Sequence, residues 1–449
     1  MRYLPLTDSA RAEIKKTIGI KDTKELFKSI PADKAFFDLS ALPPALSEPE
    51  LIAAFKDLGR KNSFKDYLSF LGAGAYAHFI PEVVSYLSAK GEFLTPYTPY
   101  QPEVSQGNLQ AIFEYQTMLT MLTGLDVANA SLYDGGTAAA EAVLLAVRKS
   151  GRQRVLLAES LHPETIAIIR AYVQNLSIEL VMVGLNELDG MVDLSDLQAK
   201  LNGQTAAFVF QSPNFLGLVE DSGALAKAAH QQQAYAIQTV SEAMSLAYLR
   251  PAADFAIDMV VGEAQSFGLS LGFGGPYLGF MTAREEFLRQ MPGRIVGQTK
   301  DLDGKRGYVL TLSTREQHIK REKATSNICS NEAWCALRAG MYLATMGKDG
   351  LRRAAGDSHV HAAYFVREAA GLKQVKIVYT RNFYNEVLLE VRKGTAAAFL
   401  AALAKRNILA GVPLDWFYPA VTDRVLLAFS ELHSREDIDR LLHVIGECS

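Results

Sequence analysis

The sequence has no hydrophobic run approaching the ~18–20 apolar residues that a membrane-crossing helix requires, so no contact with a membrane is expected. Its first stretch, MRYLPLTDSARAEIKKTIGI, lacks an apolar h-region and does not read as a secretory signal. Cysteine is scarce. Cys329, Cys335 and Cys448 are odd in number and widely spread, which argues against a disulfide framework and fits a reducing compartment. No histidine stands close to the first two, so small buried hydrophobes are a simpler reading than zinc ligands, and no metal is expected. Neither sign of charge is in excess: the formal net charge is −3 and the pI about 6.3, which gives no reason to expect nucleic acid or anionic lipid as a partner. A cytoplasmic location follows as an expectation. Two local absences carry more weight later. There is no lysine from Ala228 to Thr299, and no aspartate between Asp221 and Asp254.

What is present is ordinary for a globular protein: 449 residues, 49% apolar and 21% charged. A chain of this length buries a large core and normally splits into domains. Residues 1–60 read as an arm, with helical patterns broken by IPADKAF and LPPALSEP, and a capped helix start in SEPELIAAFKDLG. Such an arm has little core of its own, so it is expected to wrap a larger body. From 61 to 330, short β-branched runs (RVLLAE, IELVMV, AAFVFQ, AYAIQTV, AIDMVV) alternate with helical stretches. That alternation predicts βαβ units and a mostly parallel, doubly wound sheet in an α/β domain. From 331 to 449, two helices precede VKIVY, NEVLLEV, a helix, RVLLAFS and a last helix, which predicts a small α+β domain.

Five segments carry candidate chemistry. In SLYDGGTAAAEA, Asp134, Gly135, Gly136 and Thr137 form a turn that opens a helix of small residues. Free N–H groups there suit an anion, although a simple cap and a tightly packed helix would use the same residues. In ESLHPET, His162 either stacks on a planar cofactor or is a loop histidine near a helix start. Gln211, Ser212, Pro213 and Asn214 follow an apolar strand, at the end where open α/β sheets bind ligands; a plain turn is the alternative. In YTPYQPEVSQGNLQA, Tyr97, Tyr100 and Gln101 flank a proline turn ahead of an amphipathic helix, offering hydroxyls and rings to a ligand, a partner or ordinary packing. In TREQHIKREKATSN, the basic groups Arg315, His318, Lys320, Arg321 and Lys323 are followed by the hydroxyls of Thr325 and Ser326. That combination suits phosphate or carboxylate, and equally a solvated face.

Taken in order, YTPYQPEVSQGNLQA, LTGLDVANASLYDGGTAAAEA, FGGPYLGF and REQHIKREKATSNICSNEA resemble the signature segments of the glycine decarboxylase P-protein of the glycine cleavage system, above all the alpha subunit of its two-subunit bacterial form. The resemblance implies a fold-type-I architecture, the one used by enzymes of pyridoxal phosphate. It also implies glycine as substrate, decarboxylated with transfer of the aminomethyl group to lipoamide on H-protein. Such a cofactor needs a lysine, and counting on from Asp258 the slot falls on Gln265 and Ser266. Serine cannot hold the cofactor. QTVSEA offers only Glu242 where an acid for the ring nitrogen belongs. The chain is therefore expected to hold no covalent cofactor and no catalytic residue of its own. The resemblance implies a beta subunit that binds pyridoxal phosphate, an α2β2 assembly and a lipoylated H-protein as partners. To the beta subunit's site this chain would lend Tyr97, Tyr100, Gln101, Arg315, His318, Arg321, Lys323, Thr325, Ser326 and Asn327. Asp134 to Thr137 with His162 would be a degenerate phosphate cup. A scaffold pseudoenzyme of the same fold, or a self-sufficient lyase using an unexpected lysine, remain the alternatives.

Overall fold

The computed structural model describes residues 6–31, 40–272, 274–312, 316–324, 326, 328 and 332–448, with the side chain of His318 left out. It falls into two units, Met1–Lys65 and Asp66–Ser449. The first contains α1 (Asp8–Ile18) and α2 (Glu48–Lys61). Thr7 caps α1 by accepting from the N–H of Ala10 at 3.2 Å, and Gly19 closes it in the left-handed region. At α2 the Glu50 carboxylate reaches back to the N–H of Ser47 at 2.8 Å, as the SEPE stretch predicts. Neither helix buries a single residue. Their local hydrogen bonding is complete, whereas their apolar residues Ile14, Leu51, Ile52 and Phe55 are exposed.

The second unit opens with β1 (Leu68–Ser69), α3 (Glu82–Ser88), α4 (Gly91–Leu94) and α5 (Gln106–Thr123). The alternating region follows as β2 (Val127–Ala128), α6 (Gly135–Ser150), β3 (Arg154–Ala158), α7 (Pro163–Val173), β4 (Glu179–Val183), α8 (Leu194–Lys200), β5 (Thr205–Gln211), α9 (Ser222–Gln231), β6 (Tyr235–Val240), β7 (Met259–Glu263) and β8 (Gly279–Ala283). These strands make one seven-stranded sheet in the order β2-β8-β7-β6-β5-β3-β4. Strands β3 to β7 pair in parallel, and β8 runs antiparallel to β7 and β2. Every residue of β5, β7 and β8 is buried, because helices cover both faces of a wound sheet. Helix α6 presses on that sheet with Ala138, Ala139, Ala140 and Ala142, all fully buried; small side chains let it approach closely.

A hairpin of β9 (Ile295–Lys300) and β10 (Arg306–Thr311) comes next, then the short α10 (Gln317–Lys320) and the long α11 (Ala333–Ala369). The chain ends with β11 (Val375–Ile377), β12 (Glu386–Val391), α12 (Ala396–Ala404), β13 (Ile408–Leu409), β14 (Val412–Pro413), β15 (Arg424–Ala428) and α13 (Arg435–Glu447). A four-stranded sheet of order β11-β12-β15-β14 has its own core with α12 and α13. The doubly wound sheet and the α+β end match the expectation from periodicity. Two boundaries differ. Strand β7 begins at Met259, three residues after AIDMVV opens, because the Asp258 carboxylate is spent on His230 Nε2 (2.7 Å) and on the N–H of Ala236 (2.8 Å). The two predicted helices after residue 331 are nearly continuous, interrupted inside α11 at Gly347 (φ 59°).

The hairpin is sutured to α5 by two glutamines. Gln116 donates to the carbonyl of Val296 (3.1 Å) and accepts from its N–H (2.9 Å). Gln106 treats Tyr308 in the same way, at 2.9 and 2.8 Å. Each amide thus acts as a one-residue strand.

A buried ion triad ties the two sheets together. His78 Nδ1 lies 2.7 Å from Glu431 Oε2, and Nε2 lies 3.0 Å from Glu242 Oε2. Burial opposes charge on the ring, but Glu242 and then Glu431 outweigh it and hold the imidazolium up to about 10. A group whose pKa is raised on folding contributes stability that is whole below its ordinary value of 6.5 and is lost as pH rises through about 10. His78→Leu leaves two buried carboxylates without their cation, and we expect it to cost about 3–5 kcal/mol in chemical denaturation at neutral pH. The wild-type decline in stability from mildly acidic to alkaline pH should flatten in the variant.

Candidate functional site

The site is built on the close approach of α6 to β7. Asp134 precedes the helix in extended conformation, and its Oδ1 accepts from the N–H of Thr137 at 2.7 Å. That caps one of the free donors of the helix start. The donor of Gly135 is taken at 2.9 Å by Glu263 Oε2, from the last residue of β7. Glu263 Oε1 accepts from Leu278 (2.7 Å) and Gln265 (3.1 Å). The contact demands glycine: a Cβ at position 135 would lie 2.9 Å from the N of Glu263 and 3.0 Å from the carbonyl carbon of Gly262. An internal carboxylate therefore sits where a helix N-terminus would receive an anion. Burial lifts Glu263 to about 7, against the pull of the Leu278 and Gly135 donors.

Beside this contact is a cavity of about 220 Å³, at the carboxyl ends of β6 and β7. Its walls include Asp134, Gly135, Gly136, His162, Glu164 and Glu263. Three carboxylates and no lysine or arginine face it among the described residues. His162 supplies no charge. Burial lowers its pKa, its Nδ1 accepts from the N–H of Glu164 at 3.2 Å, and its Nε2 donates to the carbonyl of Ala73 at 2.9 Å. Its ring meets Phe215 and Phe417 edge-on, at 4.8 and 5.7 Å between centres.

Ser266 is buried in the turn after β7 and is not among the residues lining the cavity. Its neighbour Gln265 is committed to structure, accepting from the N–H of Tyr76 at 3.3 Å and donating to the carbonyl of Leu269 at 2.5 Å. Glu242 points at His78 and not into the cavity. Asn214 is likewise structural, donating to Glu220 at 2.8 Å and to the carbonyl of Gly190 at 3.0 Å. The residues present do not fit pyridoxal phosphate held through a lysine. The walls offer no amine, and the helix start that would take a phosphate already holds a carboxylate.

The residues expected to act on a partner lie elsewhere. Tyr97 and Tyr100 are 79% and 57% exposed, and Gln101 is exposed beside them. Tyr97 lines a second cavity of about 380 Å³ with Phe93, Trp334 and Leu337, which shares no residue with the first. Arg321 and Lys323 are exposed. Ser326 turns inward, donating to Glu141 Oε1 at 2.8 Å and accepting from the N–H of Ile328 at 3.1 Å. Arg315, Thr325, Asn327 and the side chain of His318 lie outside the described residues. Two functional side chains escaped the sequence reading. Glu263 had a signal, an acid closing a buried strand. Arg294, a buried anchor under the Tyr100 loop, had only the Pro-Gly turn before it.

The chain matches the family model for the glycine cleavage system P-protein over residues 1–445. A relative from Brevibacillus brevis, a probable glycine dehydrogenase (decarboxylating) subunit 1, is 45% identical over 98% of this chain and 97% of its own. The crystal structure of a glycine decarboxylase (P-protein) of the glycine cleavage system, in inhibitor-bound form, superposes with a TM-score of 0.89 at 39% identity, covering 100% of both chains. A C-DES variant with glycine covalently linked to its PLP cofactor shares the fold alone, at a TM-score of 0.60 and 16% identity over 82% of this chain and 94% of its own.

With no amine in the cavity, borohydride treatment of this chain mixed with pyridoxal phosphate should leave no stoichiometric adduct by mass spectrometry. No peptide between residues 228 and 299 should be labelled.

Proposed function

The chain belongs to the glycine cleavage system P-protein family, and we propose that it completes, from across an interface, an active site whose pyridoxal phosphate is carried by a second subunit. It is a subunit of a glycine dehydrogenase (decarboxylating). The observation that carries the division of labour is the filled helix start. Glu263 occupies the donor of Gly135, and no lysine stands between Ala228 and Thr299. A cofactor bound here would meet three carboxylates at the wall and find nothing to hold it.

In this reading the pair decarboxylates glycine and passes the aminomethyl group to lipoamide on H-protein, in the cytoplasm, as an α2β2 assembly. Residues 1–60 serve as an arm, 61–330 as the large domain and 331–449 as the small one. The exposed side chains do the lending. Tyr97, Tyr100 and Gln101 line the substrate pocket of the second subunit. Arg321 and Lys323, with Arg315 and His318, supply positive charge for the glycine carboxylate or the cofactor phosphate. Thr325 and Asn327 donate to the phosphate, whereas Ser326, expected to join them, gives its proton to Glu141 and braces the segment. Support comes from exposure: Tyr97, Tyr100, Gln101, Arg321 and Lys323 all reach solvent in this chain.

Co-purification with the second subunit, followed by glycine–bicarbonate exchange in the presence of lipoylated H-protein, tests the reading. The wild-type chain should raise exchange above that of the second subunit alone, and no increase would remove the reading. Tyr100→Phe and Thr325→Ala should each lower kcat/KM by about tenfold, the order of one lost hydrogen bond to a charged group. Wild-type turnover in both variants would remove the lent-residue assignment and leave the pairing standing.

A further inference from the structure

Arg294 is almost wholly buried, at 4% exposure, yet its guanidinium ends on exposed chain. It follows the left-handed Gly293 (φ 76°) at the foot of β9. Its carbonyl accepts from the N–H of Ala130 at 2.8 Å, and two residues on Val296 is gripped by Gln116. The stem of the side chain is thus fixed by main-chain bonds on both sides. From that base Nη2 donates to the Tyr100 hydroxyl at 2.9 Å and Nη1 to Thr98 Oγ1 at 3.3 Å. The guanidinium also lies 5.2 Å from the centre of the Tyr100 ring. Its Nε is 3.9 Å from Glu316 Oε2, the residue immediately before α10 and its basic run. One buried cation therefore sets both exposed segments to which partner-directed roles fall.

The chemistry at Tyr100 has a direction. Its oxygen accepts from a charged N–H, so the hydroxyl proton is left to donate, and among the described residues it has no acceptor. The phenol projects into solvent with its proton free and a positive charge behind it. We propose that Arg294 is a positioning residue: it orients Tyr100 so that the hydroxyl donates to an anionic oxygen in the active site of the second subunit. That oxygen belongs to the substrate carboxylate or to the cofactor phosphate. The proposal rests on the reading that this face completes the partner's site.

The test uses the assembled pair, with Arg294→Met, Arg294→Lys, Tyr100→Phe, Thr98→Val and the Arg294→Met/Tyr100→Phe double variant. Steady-state exchange gives KM for glycine and kcat, and equilibrium dialysis gives the affinity of the pair for pyridoxal phosphate. Arg294→Met and Tyr100→Phe should each weaken one of these affinities by about tenfold to a hundredfold, the loss of one charge-assisted hydrogen bond. The double variant should be no worse than the worse single one, since both remove the same contact. Arg294→Lys should recover part of the loss, because it keeps the charge and loses the fork. A shift in KM for glycine assigns the anion to the substrate, and a shift in cofactor affinity assigns it to the phosphate. Unchanged affinities in Arg294→Met, or additive losses in the double variant, overturn the proposal. So does an Arg294→Met chain that fails to assemble while Tyr100→Phe and Thr98→Val keep wild-type affinities, since Arg294 is then structural. Absence of any stimulation by the wild-type chain overturns the underlying reading, and the wild-type control identifies that outcome by itself.

Discussion

The carboxylate of Glu263 holds the first turn of α6 against the end of β7, and the local architecture follows from it. One oxygen takes the donor of Gly135, and the other gathers the chain on both sides of the glycine-rich loop, at Gln265 and Leu278. A helix start normally carries unsatisfied N–H groups that attract an anion from solution. Here the anion is part of the polypeptide. The absence of a side chain at Gly135 lets the backbone of Gly262 and Glu263 approach. The helix start is a joint between α6 and β7.

Around that joint the chain divides its polar groups by purpose. Buried acids work structurally. Glu386 accepts from the N–H of Ala73 at 2.7 Å and from the Tyr76 hydroxyl at 2.9 Å, closing the 72–76 segment over the cavity. Glu220 gathers Ser160, Val192 and Asn214. Burial raises both to about 7. Tyr97, Arg321 and Lys323 are on the outside. The division is between acids that hold the fold and side chains left to face solvent.

The fold was legible in the sequence wherever periodicity decides structure. Buried parallel strands such as TAAFVFQ are apolar throughout, and the helices between them alternate on schedule. The boundary at Met259 was not legible, because Asp258 looks like part of an apolar run until its partners His230 and Ala236 are placed in space. The same limit applies to the site. The DGGT turn and the missing lysine are local facts and could be read directly, whereas the exposure of Tyr97 and Tyr100 is known only from the structure. Glu263 and Arg294 act through residues more than a hundred positions away, Gly135 and Tyr100, and no spacing rule connects them. That serine lacks an amine is legible at position 266, but the burial of Ser266 and the bond from Tyr76 to its neighbour Gln265 belong to the packing.

The two glutamines of α5 carry a consequence for how this protein tolerates change. Gln106 and Gln116 read only main-chain atoms of the hairpin, one donor and one acceptor each. The clamp itself therefore places no demand on side chains along β9 and β10, although Val296 and Tyr308 are held by their own burial against α5. The two clamp positions are not free, since glutamate lacks the donor and asparagine lacks the reach. Divergence should accumulate at the exposed end of the ribbon, Gln298 to Lys300, while the amides that grip it stay fixed.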